Sequence, residues 1–175
     1  MKVFVTSNQQ FGRKGAIKAY KRPFIDVEDM DLQMVNAWNS VVGKDDIVYV
    51  LGNFAWDPET LEVIVKSLNG NIVVISGEYD KATQDVAEIM GIVDIDYLYN
   101  AIEEHPEANS VLSYWPLNEW PGKKKGTYSI IGYPSTAYKT DHKNRVINCS
   151  CDLWDFKPVE VMRIVELLNE VSEQH

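Results

Sequence analysis

Five short polar segments follow apolar stretches of this chain, and they hold most of the side chains that could do chemistry. They are Ser7–Gly12, Gly52–Ala55, Gly77–Asp80, Ser113–Pro116 and Gly132–Ser135. Their side chains are mainly amides and phenols, which exchange hydrogen bonds and offer flat faces for stacking. Imidazoles are absent from them and carboxylates are few, although these groups bind cations and move protons. The residue types therefore favour a polar binding surface over a metal or acid–base site.

The apolar stretches that precede the segments are short and rich in Val and Ile, which is typical of strands. Three strands are predicted in the first half of the chain: Lys2–Ser7, Asp46–Leu51 and Ile72–Ser76. Three helices are predicted among them: Val27–Val42, the segment from Asp57 to Asn69, and Thr83–Met90. In the second helix Asp57 is a capping residue and Pro58 occupies the first helical position. This β-α-β-α-β order predicts a parallel sheet with helices on its faces.

The second half of the chain has a different order of predicted elements, because no long helices separate its strands. They are Asp94–Tyr99, Ser110–Ser113, Ser129–Gly132 and Val146–Cys149. We expect them to form a second sheet that packs on the first, followed by an amphipathic helix at Pro158–Asn169. Since no repeat, low-complexity tract or linker interrupts the chain, residues 1–175 are predicted to be one α/β domain.

Composition limits the possible partners and compartments. The chain has 175 residues, is 45% apolar and carries a net charge of −9, which disfavours unspecific binding to duplex nucleic acid. No apolar run is long enough to span a bilayer, and no signal peptide is recognisable. Cys149 and Cys151 are two residues apart, so on a strand they would share one face and remain free thiols. These features predict a cytoplasmic protein without membrane contact.

The order and spacing of the five segments resemble the calcineurin-like metallophosphoesterases over nearly the whole chain. The motifs of that family are Asp-x-His, Gly-Asp, Gly-Asn-His-Asp, a single His, and Gly-His-x-His. The matching scaffold residues are Gly12, Arg22-Pro23-Phe24, Trp38-Asn39, Gly52, Phe54, Gly77, Asp80, Pro116, Trp120-Pro121, Gly132 and Lys157-Pro158-Val159. The resemblance implies a four-layer α/β/β/α sandwich of two mixed sheets.

The metal-binding residues that the resemblance implies are replaced in this chain. Amides stand at the Asp and His of the first motif and at the bridging Asp of the second: Asn8, Gln10 and Asn53. Other residues replace the Asn and catalytic His of the third motif, the His of the fourth and the two His of the last: Glu78, Tyr79, Tyr114, Tyr133 and Ser135. Only Asp80 is retained, and it resembles a residue that supports the metal ligands without binding the metal itself.

Amides and neutral phenols are poor ligands for divalent transition metals, and one carboxylate cannot hold two cations. Without metals no group activates water, and with Tyr79 at the catalytic position no obvious acid protonates a leaving group. We therefore predict an inactive relative with no catalytic residue, no metal ligand and no cofactor. The three histidines, His105, His142 and His175, are expected to be exposed surface groups.

Two interpretations of the emptied site remain open. The new side chains either fill the space of the lost metals and imidazoles, or they line a persisting cleft that binds a nucleotide-type, phosphate-containing ligand. For the cleft, the candidate ligand-binding residues are Asn8, Gln10, Arg13, Asn53, Glu78, Tyr79, Tyr114, Trp115 and Tyr133. Binding without cleavage suits sequestration, and a phage factor that removes a nucleotide signal from the host cytoplasm would fit.

Two other functions are possible on sequence grounds. A protein-binding inhibitor or adaptor would use exposed aromatic anchors, with Trp56, Trp115, Trp120 and Trp154 as candidates. Packing is the expected role of Trp120 and Trp154. Residual metal-dependent phosphodiesterase activity would rest on Glu78 and Asp80. The basic cluster Lys123–Lys125 is interpreted as a solvated hairpin tip, with a mobile lid as the alternative.

Overall fold

The computed structural model describes residues 1–89, 92–95, 99–100 and 109–172. The strands are β1 (Val3–Thr6), β2 (Ile47–Val50), β3 (Asn71–Ile75), β4 (Val93–Ile95), β5 (Tyr99–Asn100), β6 (Ser110–Ser113), β7 (Tyr128–Ile131), β8 (Val146–Asn148) and β9 (Val159–Glu160). The α-helices are α1 (Lys14–Tyr20), α2 (Val27–Asn39), α3 (Pro58–Ser67), α4 (Gln84–Ile89) and α5 (Val161–Ser172). None of the helices within the described residues combines the length and the apolar character that a membrane span requires.

The strands form two mixed sheets. The first has the order β4-β3-β2-β1-β9, in which β1 to β4 are parallel and β9 runs antiparallel to β1. The second has the order β5-β6-β7-β8, in which β6 to β8 are parallel and β5 is antiparallel. In both sheets the parallel strands bring the loops that follow them to one edge.

Alternating side chains of β1 divide the hydrophobic core into two parts. Val3 and Val5 point into the core between the sheets, where they join Leu112 and Ile130 of the second sheet and Ile164 of α5. On the opposite face, Phe4 belongs to a second core beneath α1 to α4. The first sheet is thus covered on both faces, which explains why its central strands β1, β2 and β3 are mostly apolar.

The helices over the first sheet follow from their sequences. Asp26 caps α2 by accepting a hydrogen bond from Asp29 N at 2.8 Å, and the buried residues Met30, Met34 and Trp38 recur every four positions. Asp57 caps α3 in the same way, accepting from Thr60 N at 2.8 Å, and Pro58 begins the helix. The predicted starts of both helices are confirmed, whereas α2 ends at Asn39, three residues before the predicted end.

The outer face of the second sheet is covered, within the described residues, by loop side chains around Trp120, which packs on Val111 and Ile131. Trp120 also donates a hydrogen bond from Nε1 to Thr127 O at 2.9 Å, so its predicted packing role is confirmed. Lys123–Lys125 forms a compact 3-10 turn, and Lys123 Nζ lies 4.6 Å from the centroid of the Trp120 ring. The contact holds this turn against the sheet. The predicted hairpin tip is wrong, because β6 and β7 are parallel and the segment between them is a crossover connection.

Several local predictions differ from the structure. Helix α1 and strand β9 were not predicted, and Asp94–Tyr99 contributes to two strands in different sheets, with residues 96–98 outside the described residues. The prediction that Cys149 and Cys151 share a face is wrong, because β8 ends at Asn148 and a 3-10 turn begins at Cys151. Cys149 therefore lies between the sheets and Cys151 lies beneath the helices, both as free thiols.

A buried cation joins the loop after β1 to the loop after β8. Arg22 is bidentate to Asp152, with Nε to Oδ1 at 2.8 Å and Nη2 to Oδ2 at 3.0 Å. The same guanidinium donates to the carbonyl oxygens of Asn8 at 2.6 Å and Gln9 at 2.7 Å. Since the Arg22 side chain is fully buried, its charge depends on these partners.

We expect Asp152→Ala to lower the free energy of unfolding by about 3–5 kcal/mol, because it leaves the buried Arg22 charge without its carboxylate. Chemical denaturation followed by circular dichroism measures the change. The matched control is Glu62→Ala, which breaks an exposed ion pair with Lys66 and should alter stability little. Equal small effects of the two substitutions would show that the Arg22 pair does not hold the loops.

Candidate binding site

The five polar segments meet at the carboxyl edges of the two sheets, as the sequence predicts. Asn8 N donates to Gly52 O at 3.0 Å and Gln10 N donates to Asn53 O at 2.9 Å, which joins the loops after β1 and β2. Gly132 N donates to Ser113 O at 2.9 Å and joins the last two segments in the same way. The loops therefore contact one another through their backbones as well as their side chains.

Two glycines allow this close approach. A Cβ at Gly132 would lie 1.7 Å from the carbonyl oxygen of Leu51, and a Cβ at Gly52 would lie 2.7 Å from Gly77 Cα. Neither neighbour can move away cheaply, because both are backbone atoms. Gly132 thus lets the two sheets approach each other at the site, and Gly52 lets the loops after β2 and β3 approach each other.

The three amide residues that replace metal ligands all adopt left-handed backbone conformations. Their φ angles are 57° at Asn8, 52° at Gln10 and 56° at Asn53. Asn tolerates this region and Gln does so less readily, so each residue costs on the order of 1 kcal/mol relative to an ordinary conformation. Such strain persists only where the surrounding contacts determine the backbone.

Asn8, Asn53 and Tyr114 form a buried polar layer in which the side chains bind one another. Asn53 Nδ2 donates to Asn8 Oδ1 at 3.0 Å and to Tyr114 Oη at 2.9 Å. Asn8 Nδ2 donates to Ser7 Oγ at 3.2 Å and to the carbonyl of Gly132, while Asn53 Oδ1 accepts from Tyr79 N at 3.1 Å. Each amide thus uses both of its ends within the protein.

Asp80 supports this layer from below. Its Oδ2 accepts from Asn53 N at 2.5 Å and from Gly77 N at 2.7 Å, and its Oδ1 accepts from Phe54 N at 2.7 Å. The carboxylate is 3% exposed and joins the loops after β2 and β3. Its position behind the polar layer agrees with the supporting role that the sequence predicts.

Gln10 belongs to a neighbouring chain of hydrogen bonds that reaches the surface. Its Nε2 donates to Tyr20 Oη at 2.9 Å, and its Oε1 accepts from Arg13 Nη1 at 2.5 Å. The Arg13 guanidinium carbon then lies 4.6 Å from the centroid of the Trp56 ring and 4.9 Å from that of Tyr79. Arg13 is therefore held in one orientation by two aromatic rings and an amide.

A second aromatic group forms the other side of the site. Trp115 and Tyr133 pack with ring centroids 5.4 Å apart, and Tyr114 meets them edge-on at 4.9 Å and 5.6 Å. The Trp115 side is open to solvent, since this residue is 52% exposed. Tyr79 packs on Trp56 with centroids 5.3 Å apart. Both groups present aromatic rings around the buried layer.

The nine candidate residues therefore fall into an inner and an outer set. The inner set is buried, with at most 2% of each residue exposed: Asn8, Gln10, Asn53 and Tyr114. The outer set is half-buried or exposed: Arg13, Glu78, Tyr79, Trp115 and Tyr133. We name the outer set together with Trp56 the rim. The filling interpretation describes the inner set, and only the rim offers a ligand accessible surface.

The residues at the inner positions do not fit the two-metal centre that the family resemblance implies. The side-chain oxygens of Asn8, Gln10 and Asn53 already accept hydrogen bonds, and both Asp80 oxygens accept from backbone N–H groups. Burial raises the pKa of Tyr114 well above its ordinary value, so its phenol is neutral. Among the described residues, no three His, Cys, Asp or Glu side chains come together as metal ligands would.

The sequence does not predict two contributors to the site. Tyr20 is the partner of Gln10 and lies on α1, whose existence was not predicted. Trp56, a possible protein anchor on sequence grounds, directly follows Gly52–Ala55 and contacts Arg13 at the site. Ser135, at a former ligand position, instead lines a separate cleft beside α5. Of the three histidines, His142 is exposed as expected, and His105 and His175 lie outside the described residues.

The fold class is shown by similarity to a solved structure. The crystal structure of the protein of unknown function AQ665 from Aquifex aeolicus matches with a TM-score of 0.71 and 19% sequence identity, over 95% of this chain and 98% of that chain. The predicted α/β class with two mixed sheets and flanking helices is confirmed. Phosphopantetheinyl hydrolase (PptH) from Mycobacterium tuberculosis matches with a TM-score of 0.36 and 6% identity over 89% of this chain and 79% of that chain, too low to support a conclusion.

In sequence, the uncharacterized protein MJ1445 of Methanocaldococcus jannaschii is 27% identical over 174 residues, which span 97% of this chain and 92% of that protein. No protein-family profile matches the chain. The metallophosphoesterase assignment thus stays a prediction from the five segments.

One carboxylate beside the site should make stability depend on pH. Both oxygens of Asp31 accept from Gly12 N, at 3.1 and 3.0 Å, and burial raises the pKa of Asp31 to about 6, with Glu28 and Asp57 adding to the rise. A raised native pKa means that the folded state binds the proton more tightly. The free energy of unfolding should therefore increase as the pH falls from about 6, the pKa of Asp31 in the folded protein, to about 4, the pKa of an Asp in the unfolded chain.

We expect Asp31→Asn to stabilise the protein at pH 8 by roughly 1 kcal/mol, after allowance for the solvent screening of a half-buried group. The gain should disappear by about pH 4, where Asp31 is protonated in the folded state. Thermal melts between these pH values measure it. The exposed Asp45→Asn is the matched control, and a gain of the same size there would exclude a specific effect of Asp31.

Proposed function

We propose that this chain is a catalytically inactive, metallophosphoesterase-like protein that binds and sequesters a nucleotide-type, phosphate-containing ligand at the rim. The contact of the Arg13 guanidinium with two adjacent aromatic rings, those of Trp56 and Tyr79, is the observation on which this proposal rests. The place of action that we propose is the cytoplasm. A phage factor that removes a host nucleotide signal is one biological use of such binding.

Arg13 is suited to meet a phosphate. Its Nη1 is engaged by Gln10, but among the described residues no protein acceptor faces its Nε or Nη2. Because the rings of Trp56 and Tyr79 hold the guanidinium, little side-chain entropy remains to be lost on binding. A planar pair of N–H donors matches two phosphate oxygens.

The aromatic residues of the rim supply the second half of a nucleotide site. The exposed Trp115 packs on Tyr133 and has one side available to a planar group. Stacking of a base on an aromatic side chain contributes about 1–3 kcal/mol and tolerates different bases. A ligand with both a phosphate and a base would use Arg13 and Trp115 together.

Loss of catalysis follows from the inner set. Its amides and its neutral phenol bind one another and cannot supply anionic bridging ligands for a pair of cations. Tyr79, at the position of the catalytic histidine in the resembling family, packs on Trp56. A ligand bound at the rim would therefore be retained intact.

A protein-binding role is the second candidate, because Trp56 and Trp115 are 43% and 52% exposed. Exposed tryptophans at the centre of a surface often carry much of the binding energy of an interface. Trp120 is buried and therefore cannot be such an anchor, whereas Trp154 is partly buried and packs on the core between the sheets. Both functions would use the rim, so the choice of probe separates them.

We expect at least one member of a panel of mononucleotides, cyclic nucleotides and oligonucleotides to bind with a Kd below about 1 mM in calorimetry. Arg13→Ala should weaken that binding at least tenfold, about 1.4 kcal/mol, because it removes the phosphate donor. The matched control is Arg163→Ala on the outside of α5, which should leave affinity unchanged. If no panel member binds, the nucleotide proposal fails and the protein-binding function gains support.

The purified protein should not hydrolyse phosphomonoesters or phosphodiesters, with or without added Mn²⁺, because its inner set lacks the ligands of a two-metal centre. Release of p-nitrophenol from aryl phosphates measures the activity. Turnover that co-purifies with the protein and is lost in Glu78→Gln would overturn the assignment as inactive and restore the phosphodiesterase alternative.

A further inference from the structure

A separate cleft of about 670 Å³ lies between β8, α5 and the loop segment 135–142. We name it the α5 cleft. It shares no lining residue with the rim or the inner set. Its volume is within the range of sites that bind small molecules.

The two walls of the α5 cleft differ in chemistry. One wall consists of apolar side chains from β8, the turn after it and α5: Ile147, Leu153, Trp154, Ile164 and Leu167. The other consists of polar side chains from the single loop segment: Ser135, Thr136, Lys139, Thr140 and His142. The cleft is therefore amphipathic across its width.

Hydrogen bonds to β8 hold both walls in place. Trp154 Nε1 donates to Asn148 O at 3.0 Å, and Thr140 Oγ1 accepts from Asn148 N at 3.0 Å. The apolar wall deepens into the core between the sheets, where Ile147 and Ile164 are 2% and 1% exposed, whereas Leu153 at the mouth is 47% exposed. The cleft is thus formed before any ligand binds.

The charge of the polar wall is opposite to that of the whole chain. Lys139 and Lys143 lie in and beside the segment, in a protein whose net charge is −9. The nearby carboxylate of Asp141 is occupied by Asn144, which donates from Nδ2 at 2.7 Å and from N at 3.1 Å. Within the described residues, no carboxylate forms an ion pair with Lys139. A negative group at this wall would meet an uncompensated ammonium.

We propose that the α5 cleft binds a small organic anion with an apolar body. The anionic group lies at Lys139, and the apolar body lies against Ile147, Leu153 and Trp154. This site is additional to the rim and does not depend on the nucleotide proposal.

Three probes with one chain length and different head groups test the charge and the apolar wall separately. We expect octanoate to give saturable one-to-one binding in calorimetry, octan-1-ol to bind at least fivefold more weakly, and octylamine to bind more weakly still. Lys139→Glu should weaken octanoate at least tenfold and leave octan-1-ol nearly unchanged. Thr136→Trp, at an exposed position of the mouth, should weaken both by occupying the cleft.

Lys124→Glu on the exposed 3-10 turn is the matched control, and it should not change the affinity for octanoate. Circular dichroism confirms that each variant is folded. The proposal is overturned if octanoate shows no saturable binding up to about 5 mM, if the three probes bind equally, or if Lys124→Glu weakens octanoate as much as Lys139→Glu. Because Arg13→Ala leaves this cleft intact, failure here and failure of the nucleotide proposal are distinguishable.

Discussion

The buried guanidinium of Arg22 is the interaction on which the site depends. It neutralises Asp152 after β8 and binds the carbonyls of Asn8 and Gln9 after β1, so one side chain fixes loops from both sheets. Left-handed backbone at Asn8 is unfavourable in isolation, and these hydrogen bonds help to retain it. Asp80 has the complementary role, because its carboxylate binds the N–H groups of the loops after β2 and β3. Two buried charges thus frame a neutral polar centre.

Neutrality is the property that distinguishes this centre from a metal site of the same shape. Bridging carboxylates repel one another unless cations lie between them, whereas amides and a phenol can bind one another directly. Asn53 illustrates the difference, since its amide donates to Asn8 and Tyr114 and accepts from Tyr79 N. The interior is then saturated without a ligand, and Arg13 and the aromatic rings of the rim are the groups that stay accessible at the site.

Local patterns in the sequence predict most of the fold. Capping by Asp26 and Asp57 and the spacing of Met30 and Met34 predict α2 and α3, because these signals lie within a few residues of the helices they form. Strand β9 has two residues and pairs with β1 across more than 150 positions, so no local signal marks it. The five loops of the site were also predictable. Whether Tyr114 fills the site or lines a cleft depends on packing between the sheets, which sequence spacing does not encode.

The pairing of β1 with β9 has a consequence for synthesis of the chain. Strand β1 can pair with β2 as soon as the first helices are made, but its other edge remains open until Val159 and Glu160 leave the ribosome. Arg22 likewise lacks its carboxylate partner until Asp152, which lies 130 positions further on, has been synthesised. During translation the nascent chain therefore exposes an unpaired strand edge and an unneutralised cation, a state that chaperones recognise and that invites association between neighbouring chains.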